Sequence, residues 1–222
     1  MSVRLFGHWS CPYVNRVAFA LGQRGIDHEL VEVPPSAVRP EGFVLPEEFV
    51  AHSPRLEVPM VCVDGDYLAD SIPVLRFLEE RVDAPPLLPA GREDLVLERV
   101  ARLDDILMRA MGGIAYGVDP DRIDRAAGRL AEAFDEMAGW LRETPWLAGP
   151  EPTLAEAIAV PVQLRLPGLV ALGFDRAVPA EIDRHRDATL ALPGGRHVAW
   201  SADQAAEYLA RHRRARARHT GV

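Results

Sequence analysis

Lysine is absent from this chain, and all 25 basic residues are arginine. Together with abundant Ala, Gly and Pro this points to GC-rich coding, so an arginine here can mean no more than that a cation was needed. Cysteine is nearly absent too. Cys11 and Cys62 are the only two, too few for a disulfide framework or a four-ligand zinc site even with seven His scattered singly, so no metal is expected. No run of about 18 or more apolar residues occurs, which excludes a membrane-spanning helix. The opening MSVRLFGHW lacks the apolar stretch of a secretory leader, so the expected location is cytoplasmic. Positive charge is also short: residues 1–81 hold 12 acids against 7 Arg, 82–210 hold 21 against 13, and only 211–222 are purely basic, with 5 Arg. That leaves no broad basic face, and nucleic acid and membrane surfaces are not expected partners. The tail RHRRARARHTGV (211–222) suits the negative end of a helix dipole and a fraying terminus.

What is present is a soluble composition, 48% hydrophobic and 26% charged, on 222 residues, with a mean hydropathy of −0.04. The length suits one large or two modest domains. Over the first eighty residues, VRLF (3–6) reads as a strand and Pro12–Gly25 as a helix with Val14, Val17, Ala18 and Leu21 on one stripe. His28–Val33 reads as a second strand. An irregular stretch follows, then PMVCV (59–63) and DYLA joined by Asp64-Gly65 as a hairpin. A helix opens at Asp70-Ser71 and runs to Arg81. This order, βαβ then ββα, predicts an α/β sandwich over residues 1–81. Residues 82–91, VDAPPLLPAG, are a Pro-rich linker. Residues 92–222 form an all-helical domain: periodic apolar positions predict helices over Arg92–Met111 and Ile123–Leu141, the capping box Thr153-Leu-Ala-Glu156 opens a third, and 179–192 and 202–214 are further segments.

The residues with chemical promise cluster in the first part. Ser10-Cys11-Pro12-Tyr13-Val14 lies at the junction of the first strand and helix, where unsatisfied N–H groups and the positive end of the dipole favour a thiolate. The segment reads C-x-x-V rather than C-x-x-C. With no resolving cysteine, redox chemistry would run through a mixed disulfide with an external thiol. The structural alternative is a buried, inert Cys, which is the reading for Cys62. Val58-Pro59 precedes a strand; as a cis bond it would present the Val58 backbone beside the thiol to an extended peptide-like ligand. Asp70-Ser71 caps a helix on the simplest view, yet exposed N–H groups and a hydroxyl suit a carboxylate while the Asp suits an ammonium. An amino-acid head group would satisfy both.

These three features, the linker and the helical second half together resemble the cytosolic glutathione transferase family. WLAGPEPTLAEAIAV (146–160) stands where that family carries a WLAG-x-x-x-(S/T)-x-A-(D/E) helix start. The resemblance implies a thioredoxin-like N-terminal domain joined to an all-α C-terminal domain. It places Cys11 where omega and beta classes have a catalytic Cys and the zeta class a Ser, with CPY most like omega. It matches Val58-Pro59 to the family's cis-Pro signature and Asp70-Ser71 to the pair that grips a γ-glutamyl group. It also implies a thiol cosubstrate, glutathione or another low-molecular-weight thiol, bound by Pro12, Tyr13, Glu57, Val58, Pro59, Asp70 and Ser71. A homodimer and a small electrophilic or disulfide substrate are implied as well.

Three departures bear on that site. The family's N-P-x-G-x-V-P stretch is here Ser53-Pro54-Arg55-Leu56-Glu57-Val58-Pro59, which lacks the Gly and adds an acid; Leu45 stands where omega-type relatives often offer a Lys. The γ-glutamyl half looks intact and the glycyl half weak. Trp9, Met108, Met111, Tyr116 and Trp200 are candidates for an acceptor pocket, the alternative being core packing. The leading functional reading is a Cys-type enzyme for thiol transfer or deglutathionylation. The alternatives are a zeta-like isomerase or conjugating transferase, and a non-catalytic binding protein that keeps the fold.

Overall fold

The computed structural model describes residues 1–220, so the last two residues of the Arg-rich tail lie outside the described part. The chain forms two compact units. The first is Met1–Leu88 with Leu192–Val198, and the second comprises Pro89–Ala191 and the segment from Ala199 onward. The architecture is that of the glutathione transferase fold, a thioredoxin-like α/β unit and an all-α unit.

In the first unit, β1 (Val3–Gly7) leads to α1 (Pro12–Gln23), β2 (Glu29–Glu32), a 3-10 turn (Ser36–Val38) and α2 (Glu47–His52). Then come β3 (Met60–Val63), β4 (Asp66–Ala69) and α3 (Ser71–Arg81). The sheet order is β2-β1-β3-β4, with β1 parallel to β2 and both other pairs antiparallel. Asp64 (φ 50°) and Gly65 (φ 96°) make the left-handed two-residue hairpin turn that sequence indicated. Strand alternation sorts side chains to two faces. Arg4, Cys62 and Tyr67 stand in register on the face covered by α2, where Phe49 stacks on Phe6 at 6.0 Å. Glu48 of α2 takes hydrogen bonds from both Arg4 and Tyr67. The Arg4 bonds, then that of Tyr67, hold the Glu48 carboxyl below its ordinary range, and the bond to Glu48 pushes the Tyr67 hydroxyl up to about 12. Cys62 is 3% exposed and receives an Arg4 Nη–H at 3.5 Å. Leu5, Val61, Val14, Val17 and Leu21 fill the core on the other side.

The irregular stretch of the sequence contains α2, and the first unit gains a short helix, α8 (Pro193–Val198), from late in the chain. Residues 193–198 belong to the span read from sequence as part of the helical domain. They pack on α1 because two glycines meet there: a Cβ on Gly194 would lie 2.4 Å from the Phe19 carbonyl oxygen, and one on Gly22 2.6 Å from the His197 Cβ. His197 also brings its Nε2 to 3.3 Å from His28 Nε2. Burial first, then the His28 charge, lowers the His197 pKa.

The second unit is a set of helices. α4 (Glu93–Tyr116) and α5 (Pro120–Glu143) pack as a hairpin, with Asp119 accepting the Asp121 N–H at 3.0 Å to cap α5. α6 (Leu154–Val170) packs against α4, and α7 (Ala180–Ala191) and α9 (Ala202–Thr220) flank it. The Thr153-x-x-Glu156 box forms as its sequence dictates: Thr153 Oγ1 accepts the Ala155 N–H, and the buried Glu156 carboxylate accepts the N–H groups of Thr153 and Leu147, both at 2.6 Å. α6 is apolar nearly all round and buried, so Pro161 and Pro167 persist inside it although each removes a backbone bond.

Candidate functional site

The thiol of Cys11 is positioned by the end of β1 and the start of α1. Gly7 closes the strand, and a Cβ there would lie 2.6 Å from a Val14 methyl, so only glycine lets α1 lie this close to β1. Three residues later the Cys11 N–H donates to the His8 carbonyl at 3.0 Å, tightening the turn. Cys11 is the N-cap of α1, with φ −80° and ψ 122°, and Pro12 occupies the first turn, where its missing N–H costs nothing. Asn15 ties the turn from the helix side: its N–H donates to the Cys11 carbonyl at 3.1 Å and its Nδ2 to the Trp9 carbonyl at 3.0 Å.

Cys11 is 4% exposed, and its Sγ lies 3.9 Å from the Val58 carbonyl oxygen. The Val58–Pro59 bond is cis. Beside it is a cavity of about 310 Å³ lined by Ser53, Arg55, Glu57, Val58, Pro59 and Asp70, among others. The sequence-derived residues Glu57, Val58, Pro59 and Asp70 are thus brought to one place. Cys11, Pro12, Tyr13 and Ser71 are not part of its lining. Ser71 is buried at the first turn of α3, and its hydroxyl accepts a hydrogen bond from Arg16 Nη1 at 3.3 Å. The Arg16 guanidinium lies 5.0 Å from the ring centroid of the exposed Tyr13.

The charges of the cavity were only partly foreseeable. Asp70, at φ 83°, is ion-paired with Arg55. Glu57 points one carboxylate oxygen at the Ser36 N–H, 3.3 Å away, and its own carbonyl accepts from Ser53 Oγ. Leu56 holds φ 53°, the left-handed conformation for which the family pattern has glycine. Arg39 braces the loop by donating to the carbonyls of Pro34 and Leu56, each at 3.0 Å.

The sequence alone did not single out His8 or Arg16, and Ser10 stood out only as the flank of Cys11. The His8 Nδ1 is 2.8 Å from Ser10 Oγ and 3.2 Å from the Ser10 N–H, while its Nε2 faces Glu32 at 3.7 Å. With the Ser10 N–H donating to Nδ1, that nitrogen is the acceptor. Arg16 carried a legible signal, a cation inside the apolar stripe Val14–Leu21, and it is fully buried. Trp9 is half-buried against the His8 ring at 5.3 Å. Met108 and Met111 are buried on α4 in the second unit, whereas Tyr116 is 59% exposed and tilts against His212. Trp200 receives the Arg165 guanidinium at 4.6 Å. Among the described residues no group of three or more His, Cys, Asp or Glu is placed to hold a metal ion, and no helix is long and apolar enough to cross a membrane.

Comparison with known proteins bears on the N-terminal domain and on the fold. Residues 10–81 match the family described as glutathione S-transferase, N-terminal domain. Maleylacetoacetate isomerase of Rattus norvegicus is 32% identical over 111 residues, 50% of this chain and 45% of that protein. Its Mus musculus counterpart is 26% identical over 167 residues, covering 68% of this chain and 71% of that one. This chain therefore matches less than half the length of the rat relative. Among solved structures, glutathione transferase Omega 3C from Trametes versicolor superposes with a TM-score of 0.78 at 19% identity, over 98% of this chain and 93% of that one. Rice GST1 in complex with glutathione gives 0.83 at 13% identity, over 96% and 98%. At these identities the two structures speak for the fold.

Proposed function

We propose that this chain, whose residues 10–81 match the glutathione S-transferase N-terminal domain and whose fold is that of the solved glutathione transferases, is a thiol transferase of that family with Cys11 as nucleophile. The observation that carries this reading is the placement of Cys11: it caps α1, so the helix dipole favours its thiolate, and its sulfur lies against the Val58 carbonyl beside the cavity of Asp70 and Glu57. In the reaction the Cys11 thiolate attacks the glutathionyl sulfur of a mixed disulfide. A Cys11–glutathione disulfide forms, and the substrate leaves as a thiolate that takes a proton from solvent. A second glutathione thiolate then attacks the glutathione sulfur of that disulfide, releasing oxidised glutathione and restoring Cys11. The cosubstrate's γ-glutamyl ammonium is assigned to Asp70, its carboxylate to the Ser71 end of α3 over the buried Arg16, and its cysteinyl backbone to Val58. Another low-molecular-weight thiol with the same head group would use the same contacts. The protein would act in the cytoplasm as a homodimer.

A second reading is favoured by the isomerase relatives: a zeta-like cis–trans isomerase or conjugating transferase acting on a small electrophile. The ion pair of Arg55 with Asp70 favours a third, a binding protein without turnover, because it engages the carboxylate that would receive the ammonium. Assay of mixed-disulfide reduction and of thiol conjugation in wild type and Cys11→Ala separates the three. Thiol transfer requires the reduction to vanish with Cys11. Conjugation or isomerisation that survives Cys11→Ala, with no reductase activity in wild type, would establish the second reading, and neither activity with any thiol the third.

A further inference from the structure

The second unit carries a cavity of about 500 Å³ between the end of α4 and the start of α5, and four arginines line it: Arg109, Arg122, Arg125 and Arg129. No acidic residue is in the lining. Arg109 is paired with Asp105 at 2.6 Å. The nearby Asp124 is engaged by Arg176, and Asp119 by the Asp121 N–H. Arg122, Arg125 and Arg129 make no ion pair among the described residues. They are spaced i, i+3 and i+7, one stripe on α5, and like charges at such spacing destabilise a helix. A protein of net charge −8 thus sets three arginines without an ion pair around one hollow.

The hollow exists because of glycine. A Cβ on Gly113 would lie 2.7 Å from that of Ala126, so the helices meet closely there, while a Cβ on Gly112 would meet nothing within 4 Å, and Gly112 lines the cavity. Tyr116, exposed, adds an aromatic wall. The volume falls in the range of small-molecule sites, and guanidinium forks match carboxylate and phosphate oxygens bidentately.

We propose that this cavity is a binding site for a small organic or inorganic polyanion, a molecule carrying two or more carboxylate or phosphate groups, held by Arg122, Arg125 and Arg129. The site is built from one unit alone and uses no residue of the thiol site.

The test is calorimetric titration of citrate and, separately, pyrophosphate into the whole chain at low salt, in wild type, in the double variant Arg122→Glu with Arg125→Glu, and in Gly112→Leu. The wild type should show saturable one-to-one binding of at least one probe with a Kd below about 1 mM. The double variant should weaken it more than tenfold. Gly112→Leu keeps every charge, suits the helix better than glycine and fills the hollow, so it should also abolish binding. Citrate alone would identify the carboxylate class, pyrophosphate alone the phosphate class. No saturable binding of either probe, binding unchanged by charge reversal, or binding unchanged in Gly112→Leu each overturns the proposal. Because both substituted arginines are exposed and their reversal relieves like-charge repulsion on α5, a melting temperature at or above that of wild type is expected and verifies that binding rather than folding was lost.

Discussion

Glutathione should bind this protein weakly, and Glu57 should be the reason. The side chain lines the 310 Å³ cavity beside Val58, and its carboxylate is steered by the Ser36 N–H. A tripeptide held at Val58 by its cysteine and at Asp70 and Ser71 by its γ-glutamyl end runs its glycyl carboxylate past Glu57. Two like charges about 5 Å apart repel by about 0.8 kcal/mol at a dielectric of 80 and by about 3 kcal/mol at 20. Because the cavity opens to solvent and Arg55 shares it, the lower end applies, about 1 kcal/mol or roughly a fivefold loss of affinity. Glu57→Gln keeps an oxygen for the Ser36 N–H and removes the charge, so it should tighten glutathione by about that factor. Calorimetry of glutathione and of its glycyl ethyl ester with both proteins isolates the effect. The ester lacks the repelled charge and should bind wild type and variant alike. High salt should narrow the difference for glutathione. Ser71→Ala should weaken both ligands, since it removes the hydroxyl beside Arg16. Equal affinity of wild type and Glu57→Gln for glutathione at low salt would refute the reasoning and mean that the glycyl end takes another path.

Cys11 and Cys62 are equally buried, at 4% and 3%. An electrophilic probe near pH 7 should nevertheless label Cys11 first, because it caps a helix and borders the cavity region; faster labelling of Cys62, whose sulfur is held by Arg4 in the sheet, would contradict this. Glu156→Ala strips the buried N–H groups of Leu147 and Thr153 of their acceptor, and should cost about 3 kcal/mol in denaturant melts; a loss under about 0.5 kcal/mol would show that water replaces the carboxylate. His197 and His212 both have lowered pKa values, chiefly through burial. The unfolded chain therefore binds protons near pH 6.5 that the folded one refuses, so stability should fall as pH drops from about 7 to 5. The urea midpoint at pH 7.5 and 5.5 in wild type and in the His197→Gln, His212→Gln double variant checks this, and an unchanged pH slope in the variant would sink it.

The elements that were legible in the sequence are those whose signals are local. α1 has Pro at its first turn and a buried stripe, the β3–β4 hairpin has Asp64-Gly65, and α6 has its capping box. α2 was not legible because a six-residue helix that buries only Phe49 has no period to detect. α8, PGGRHV, has poor intrinsic helix propensity and exists through its seat on α1 at Gly22 and Gly194. α4 continues past Met111 through Gly112-Gly113, a pair that reads as a stop, since Gly113 there serves a close approach to Ala126.

The candidate site divides along the same line. Cys11, Val58-Pro59 and Asp70-Ser71 are legible because each is fixed by the chain immediately around it, a helix start or a strand start. The charges that surround them are set by residues far apart in sequence, and no local pattern shows the result. Arg16 reaches Ser71 across 55 positions. Arg55 reaches Asp70 across 15. Glu57 takes the N–H of Ser36 across 21. A thiol nucleophile needs only the first set. Selection of its cosubstrate depends on the second, because a head group entering this cavity must compete with Arg55 for Asp70 and pass Glu57. On the proposed function, Asp70 and the buried Arg16 under Ser71 suit a zwitterionic amino-acid head and Glu57 suits an uncharged tail, so a thiol with the head group of glutathione and a neutral end should bind more tightly than glutathione itself.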